Sequence, residues 1–171
     1  MTDFQKSLAF TLEQEGGMSS NPRDGAIKQL FPGEIIHTNQ GVTQGAYNKW
    51  RLEHGVQRQP VRRMTDLERD GIYEQNYWLT AHCDLLPYPL CLCVFDLAVN
   101  SGTARAIECL QAMSQKGFTP SNPRAAEFVI DWRANWFNAI LKFNPRQTVF
   151  KAGWFNRLRA LKDLIGYRKR L

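Results

Sequence analysis

The sequence predicts a mainly α fold: about seven helices around one buried central helix, with a long irregular loop or small hairpin after the first helix. Three observations lead there. Apolar residues recur at spacings of three and four through most of the 171-residue chain. The run from Leu90 to Val99 is apolar on every side apart from Asp96, and a helix of that kind belongs at the centre of a fold. Residues 18–42, by contrast, are crowded with turn formers such as Asn21, Pro22, Asp24, Gly25, Pro32, Gly33, Asn39 and Gly41.

Each element has its own justification. Thr2 and Gln5 make a capping box for the first helix, Phe4, Leu8 and Leu12 form its buried stripe, and Gly16-Gly17 end it with Glu15 in the last turn. In the loop, Ile35-Ile36 and Val42 are the candidate strand pieces. Thr43 starts a helix through Tyr47, Trp50 and Arg51 that stops near Gly55. Thr65 and Glu68 make a second capping box, for a helix running to about Trp78. Pro87 and Pro89 deny Leu85–Pro89 helical continuation. Asn100-Ser101-Gly102 end the central helix. Thr103 starts the next, with Ile107, Leu110 and Met113 on one face as far as Gly117. Asn122-Pro123 reads as an N-cap and first helical position, followed by Phe128, Val129, Trp132, Trp136, Ile140 and Phe143. The last helix, after Asn144-Pro145, carries Phe150, Trp154, Leu158, Leu161 and Ile165. With no repeat, low-complexity tract or long linker, residues 1–171 read as one domain.

Composition narrows the function. No apolar stretch approaches the roughly 20 residues of a membrane span. Asp3, Lys6, Glu13 and Glu15 interrupt the place where a signal peptide would have its apolar core. The expectation is a chain made in the cytoplasm without a signal peptide, acting on its target after release. Cys83, Cys91, Cys93 and Cys109 are then expected to be reduced, with Cys91 and Cys93 in the core. The net charge is +6, and Arg146 to Leu171 alone carries +7, leaving −1 for the other 145 residues. Such a basic stretch favours a polyanion: an acidic wall, an anionic membrane surface, or nucleic acid. Its cations form no motif with base-reading side chains, so nucleic acid is the weakest of the three. His82-Cys83 with Cys91 and Cys93 departs from closed zinc-site spacing. The sequence also lacks a phosphate loop, a dinucleotide fingerprint and a serine-nucleophile motif. No metal and no cofactor are expected.

Two carboxylates stand out. Glu15 sits at a helix C-terminus, where a carboxyl meets the negative end of the helix dipole, and a general acid must keep its proton near neutral pH. Gly16-Gly17 would let a polymer approach the backbone closely. Asp24 lies in a polar loop where it should stay ionised. Two carboxyls in unlike environments are what glycoside hydrolysis uses, one protonating the leaving oxygen and the other activating water or supporting the sugar cation. The plainer readings are a helix end for Glu15 and an Asx-turn for Asp24. Thr38 and Asn39 are hydroxyl and amide candidates for holding water or an N-acetyl group, while Thr43 reads as a helix N-cap. Tyr47 and Trp50 are candidate walls for stacking on sugars, though aromatics at helical spacing more often form core. Asn100, at the end of the central helix, is a further candidate for the cleft.

The ordered strings Thr11-Leu-Glu-Gln-Glu15-Gly16-Gly17, Asn21-Pro22-Arg23-Asp24 and Thr38-Asn39-Gln40-Gly41-Val42-Thr43-Gln44 resemble the glutamate-glycine-glycine muramidases of glycoside hydrolase family 108, which include phage endolysins and related bacterial wall enzymes. Met64-Thr65-Asp-Leu-Glu68, Ile72-Tyr73, Tyr77-Trp78 and Phe95-Asp96-Leu97-Ala98-Val99-Asn100-Ser101-Gly102 are similar as well. Phe150, Gly153-Trp154, Asn156 and Arg157 resemble the peptidoglycan-binding region that follows in such proteins.

The resemblance implies a lysozyme-like helical fold, with a catalytic region at 1–100 and a peptidoglycan-binding region at 101–171. It implies hydrolysis of the β-1,4 bond between N-acetylmuramic acid and N-acetylglucosamine by a monomer. Glu15 would be the catalytic acid, with Asp24 and Thr38 on matching positions. The chain departs from the family between Asp24 and Thr38, where 13 residues replace a short glycine pair and bring Glu34 as a substitute carboxylate to weigh. A module that binds peptidoglycan without cutting it is the alternative, and a nucleic-acid-binding protein is a weaker one.

Overall fold

In the computed structural model, residues 1–15, 31–33 and 35–167 are described. Among them form α1 (Asp3–Gln14), β1 (Thr38–Asn39), β2 (Val42–Thr43), α2 (Gln44–Glu53), α3 (Asp66–Tyr73), α4 (Leu90–Ser101), α5 (Thr103–Gln115), α6 (Ala125–Phe143) and α7 (Lys151–Leu164). Short turns of tighter helix lie at Val61–Arg63, Cys83–Leu85 and Pro145–Phe150, and a π-helical stretch, Glu74–Leu79, continues α3. The chain divides into two compact units. One is Leu8–Asn76; the other is Met1–Ser7 with Tyr77–Leu171. Helix α4 groups with the helices that follow it.

The larger unit is built on α4. Every residue from Leu90 to Ala98 is buried, as a helix apolar all round requires. It packs on α5 and α6, and α6 packs on α7. Phe4, Trp78 and Phe95 meet edge-on with ring centroids 5.5–5.9 Å apart. Phe137 stacks on Trp154 at 4.7 Å. All four cysteines are free and buried, and burial pushes the Cys91 thiol up to about 11 and Cys109 to about 12.

The exception in the apolar run organises the unit. Asp96, fully buried, accepts from Arg133 Nη1 of α6 at 2.6 Å and from Arg157 Nε of α7 at 2.9 and 3.0 Å. One carboxylate thus ties three helices. Burial by itself would raise its pKa, but the charges of Arg133 and Arg157, with their hydrogen bonds, hold it below the usual carboxylate value. Arg157 is therefore an interior residue and not part of the basic surface to which charge counting assigns it.

The smaller unit shows the local chemistry the sequence announces. Thr43 caps α2, its hydroxyl accepting from the Ala46 amide at 3.2 Å. Thr65 and Glu68 complete their capping box, as Thr2 and Gln5 do for α1. Gln44, fully buried, donates to Asn48 Oδ1 and Gln59 O and accepts from the Val61 amide at 2.7 Å, fastening the 54–61 loop to α2. The hairpin exists, but Ile35-Ile36 lie outside it and Ile35 is exposed. Its strands are Thr38–Asn39 and Val42–Thr43, paired antiparallel across a Gln40-Gly41 turn. α6 starts two residues later than Asn122-Pro123 suggests. The Asn122 side chain accepts from the Arg124 amide at 2.8 Å, an Asx-turn that occupies the chain before the helix can begin.

Glu68 sits in a second, partly buried charge network, paired with Arg51 and accepting from the Tyr47 hydroxyl at 2.8 Å. Burial opposes its ionisation, yet hydrogen bonds from Thr65 and Tyr47 and the Arg51 charge hold its pKa below the ordinary value. Glu68 and Asp96 thus share a sign. Each contributes stability that is complete above the unfolded carboxyl value of about 4 and is lost as pH falls through the folded value. Thermal melts should decline as pH drops below about 4. A melting temperature unchanged from pH 6 to pH 3 would contradict this.

Candidate active site

Glu15 follows α1 directly. Its amide donates to Thr11 O at 3.1 Å and Leu12 O at 3.3 Å, so the last turn of the helix fixes its backbone. The residue is half-buried, and the hairpin turn of the same unit lies beside it. A Cβ built on Gly41 would stand 3.5 Å from Glu15 Cγ and 3.6 Å from Oε2. The same point would be only 2.3 Å from the Tyr73 hydroxyl, so no side chain fits there. The carboxylate and the buried phenol bracket one glycine.

The turn is held in an uncommon conformation. Gln40 has φ 46° and Gly41 φ 78°, the left-handed pair that a two-residue hairpin turn requires. For Gln40 that conformation is strained and needs tethers. Tyr73 supplies one, donating to Gln40 O at 2.9 Å. Arg69 supplies another, its Nη1 reaching Gln40 Oε1 at 2.5 Å while Asp66 and Asp70 hold the guanidinium at 2.8 and 2.7 Å. Helix α3 thereby positions the turn that borders Glu15.

Gly41→Ala should therefore be costly twice over. It places a side chain at positive φ and collides with a rigid, buried phenol. We expect a stability loss of about 1–3 kcal/mol and a fall in activity of at least about tenfold as the turn shifts against Glu15. Chemical denaturation and initial-rate assays check both. Adding Tyr73→Phe, which removes the colliding oxygen, should restore part of the loss, and a double variant no better than Gly41→Ala would reject the collision.

The other sequence candidates fall in different places. Asp24 lies outside the described residues, as do Gly16-Gly17 and Glu34. Thr38 opens β1 with its hydroxyl 3.2 Å from His37 Nδ1. Asn39 is buried, and its amide donates to Val61 O at 3.1 Å, so it ties the hairpin to the Val61–Arg63 turn. Tyr47 does not line a wall. Its side chain is 0% exposed and its hydroxyl is engaged by Glu68, Arg51 and Gln59, which leaves no ring face for a sugar. Trp50 is half-buried, with one face covered by His54 at a centroid distance of 4.0 Å and its edge against Gly71. Asn100 belongs to the α4 network of the other unit, its Oδ1 accepting from Arg133 Nη2 at 2.8 Å. Sequence reasoning missed Tyr73 and Arg69 as the supports of the turn. The only signal for them was the glycine within Asn39-Gln40-Gly41-Val42, which marks a tight hairpin without saying what packs over it.

Comparison with known proteins bears on the fold and the family. SagA of Brucella abortus, a solved structure, superposes with a TM-score of 0.69 at 23% identity, covering 95% of this chain and 92% of that one. The fold is the mainly α, lysozyme-like one that the sequence implied. No curated protein matches the chain. The family model described as Glycosyl hydrolase 108 matches residues 8–102, a span that includes Glu15, the hairpin, α3 and α4. Since that span is more than half of the chain, this protein belongs to the glycosyl hydrolase 108 family of glycoside hydrolases.

Proposed function

We propose that this glycoside hydrolase is a muramidase that cuts the β-1,4 bond between N-acetylmuramic acid and N-acetylglucosamine in bacterial peptidoglycan, with Glu15 as the general acid. The observation that carries the reading is the placement of the Glu15 carboxylate, anchored at the end of α1 and set against a glycine with no side chain to obstruct it, within the family match. Glu15 gives its proton to the glycosidic oxygen as the bond to the muramic acid C1 breaks. Water adds to that carbon and its released proton goes to a base. Asp24 and Thr38 are our candidates for orienting the water or supporting the oxocarbenium-like transition state.

The test is mass spectrometry of borohydride-reduced products from purified peptidoglycan, with wild type and Glu15→Gln side by side. Reduced muramic acid ends from wild type alone support the proposal. Reduced glucosamine ends would reassign the bond, and firm sedimentation with the wall without new reducing ends would make the chain a binding module.

A further inference from the structure

Three of the exposed large apolar side chains lie within eight residues of each other, where α6 ends, the Pro145–Phe150 turn follows and α7 begins. Phe143 is 81% exposed, Val149 79% and Phe150 53%. Side chains this size and this exposed, adjacent in the chain, are uncommon without a partner surface. Lys142, Arg146 and Lys151 are interleaved with them, all exposed, and the Lys142 ammonium lies 5.7 Å from the centre of the Phe143 ring. No acidic residue occurs between Asp131 and Asp163, and Arg157, the charged side chain of α7 turned inward, is paired with Asp96.

We propose that this end of the α6–α7 hairpin docks on an anionic phospholipid surface. Phe143, Val149 and Phe150 enter the boundary between headgroups and acyl chains, and Lys142, Arg146 and Lys151 meet the phosphates. The combination decides between occupants. A wall polymer would account for the cations and would stack sugars on the two phenyl rings, but it offers no apolar interior for Val149. A second copy packed on the same patch would bring like charges face to face. An anionic bilayer satisfies both halves of the patch, since each cation near such a surface strengthens binding roughly fivefold and aromatic rings favour the interface. The patch does not include Arg168, Lys169 or Arg170, and it does not depend on the muramidase reading.

The experiment is co-sedimentation of the full chain with large vesicles, either phosphatidylcholine alone or an equal mixture with phosphatidylglycerol. Four proteins are compared: wild type, Phe143→Ser/Phe150→Ser, Lys142→Gln/Arg146→Gln/Lys151→Gln, and Arg168→Gln/Lys169→Gln/Arg170→Gln. We expect wild type to bind the anionic vesicles at least about tenfold more tightly than the neutral ones. The first two variants should each lose about tenfold or more, with unchanged melting temperatures because every replaced side chain is exposed. Trp154, whose ring stacks on Phe150 at 5.9 Å, should blue-shift on binding in wild type and not in the serine variant. Raising salt to 0.5 M should weaken the cationic share and leave an apolar remainder. Absence of binding at low salt overturns the proposal. So does full binding by the serine variant, or loss confined to the tail variant. A dimer in sedimentation velocity that the serine substitutions dissolve would give the patch to a second copy instead.

Discussion

Glu15→Gln should lower the rate of glycan cleavage by roughly 10²–10⁴-fold, the contribution typical of a positioned general acid, and leave the fold intact. The replacement keeps size and hydrogen-bonding shape while removing the transferable proton. The backbone at this position is fixed by the end of α1, whose carbonyls accept from the Glu15 amide at 3.1 and 3.3 Å and do not depend on the side chain. The loss should fall in kcat much more than in KM, because the proton is needed in the transition state and not for binding. Initial rates of reducing-end release and a thermal melt check the two halves together. A variant retaining more than about a tenth of wild-type kcat would remove Glu15 from the acid role, for a general acid is worth more than that. A collapse of the melting temperature would show the carboxylate to be structural.

Asp96→Ala should be the most damaging single substitution for stability, at about 3–5 kcal/mol. It leaves the Arg133 and Arg157 guanidinium groups at 1% and 7% side-chain exposure with their shared carboxylate gone, and a buried charge that loses its counter-ion is far more costly than the pair was favourable. Against a total stability of about 5–15 kcal/mol, that is a large fraction. For a chain of this length it corresponds to a fall of roughly 6–20 °C in melting temperature. A triple replacement, Asp96→Leu with Arg133→Met and Arg157→Met, should recover most of the loss, since apolar side chains of similar volume can substitute for a buried ion pair. If Asp96→Ala alone melts within two or three degrees of wild type, the pin is not what holds α4, α6 and α7 together.

The two networks differ in how legible they were. Asp96 was visible as the one charged residue in an apolar run. Its partners were not, because Arg133 and Arg157 are 37 and 61 residues away and look like any other helical cations. Counting charge therefore placed Arg157 on the surface. Tyr47 shows the opposite ambiguity. An aromatic residue near a proposed cleft reads equally as core or as wall, and burial against Arg51, Gln59 and Glu68 decided for core. The aromatic–cationic patch at 142–151 was missed because the helical period places Phe143 on the same stripe as Trp132 and Trp136. Periodicity cannot tell that α6 outruns the neighbours that would cover its last turn.

What the sequence by itself determined are the features written in local chemistry: the capping boxes of α1 and α3, the Thr43 cap, the stops at Gly55, Gly102 and Gly117, the central apolar helix, and Glu15 at a helix end. These depend on residues three or four positions apart, so a short window contains the whole cause. What only the tertiary structure decided is which distant groups share a site. It placed Gly41 and Tyr73 around the Glu15 carboxylate, brought Arg133 and Arg157 to Asp96, and left Phe143, Val149 and Phe150 uncovered. Those outcomes follow from burial and long-range packing, whose energies depend on which surfaces meet, and that is a property of the folded chain and not of any segment of it.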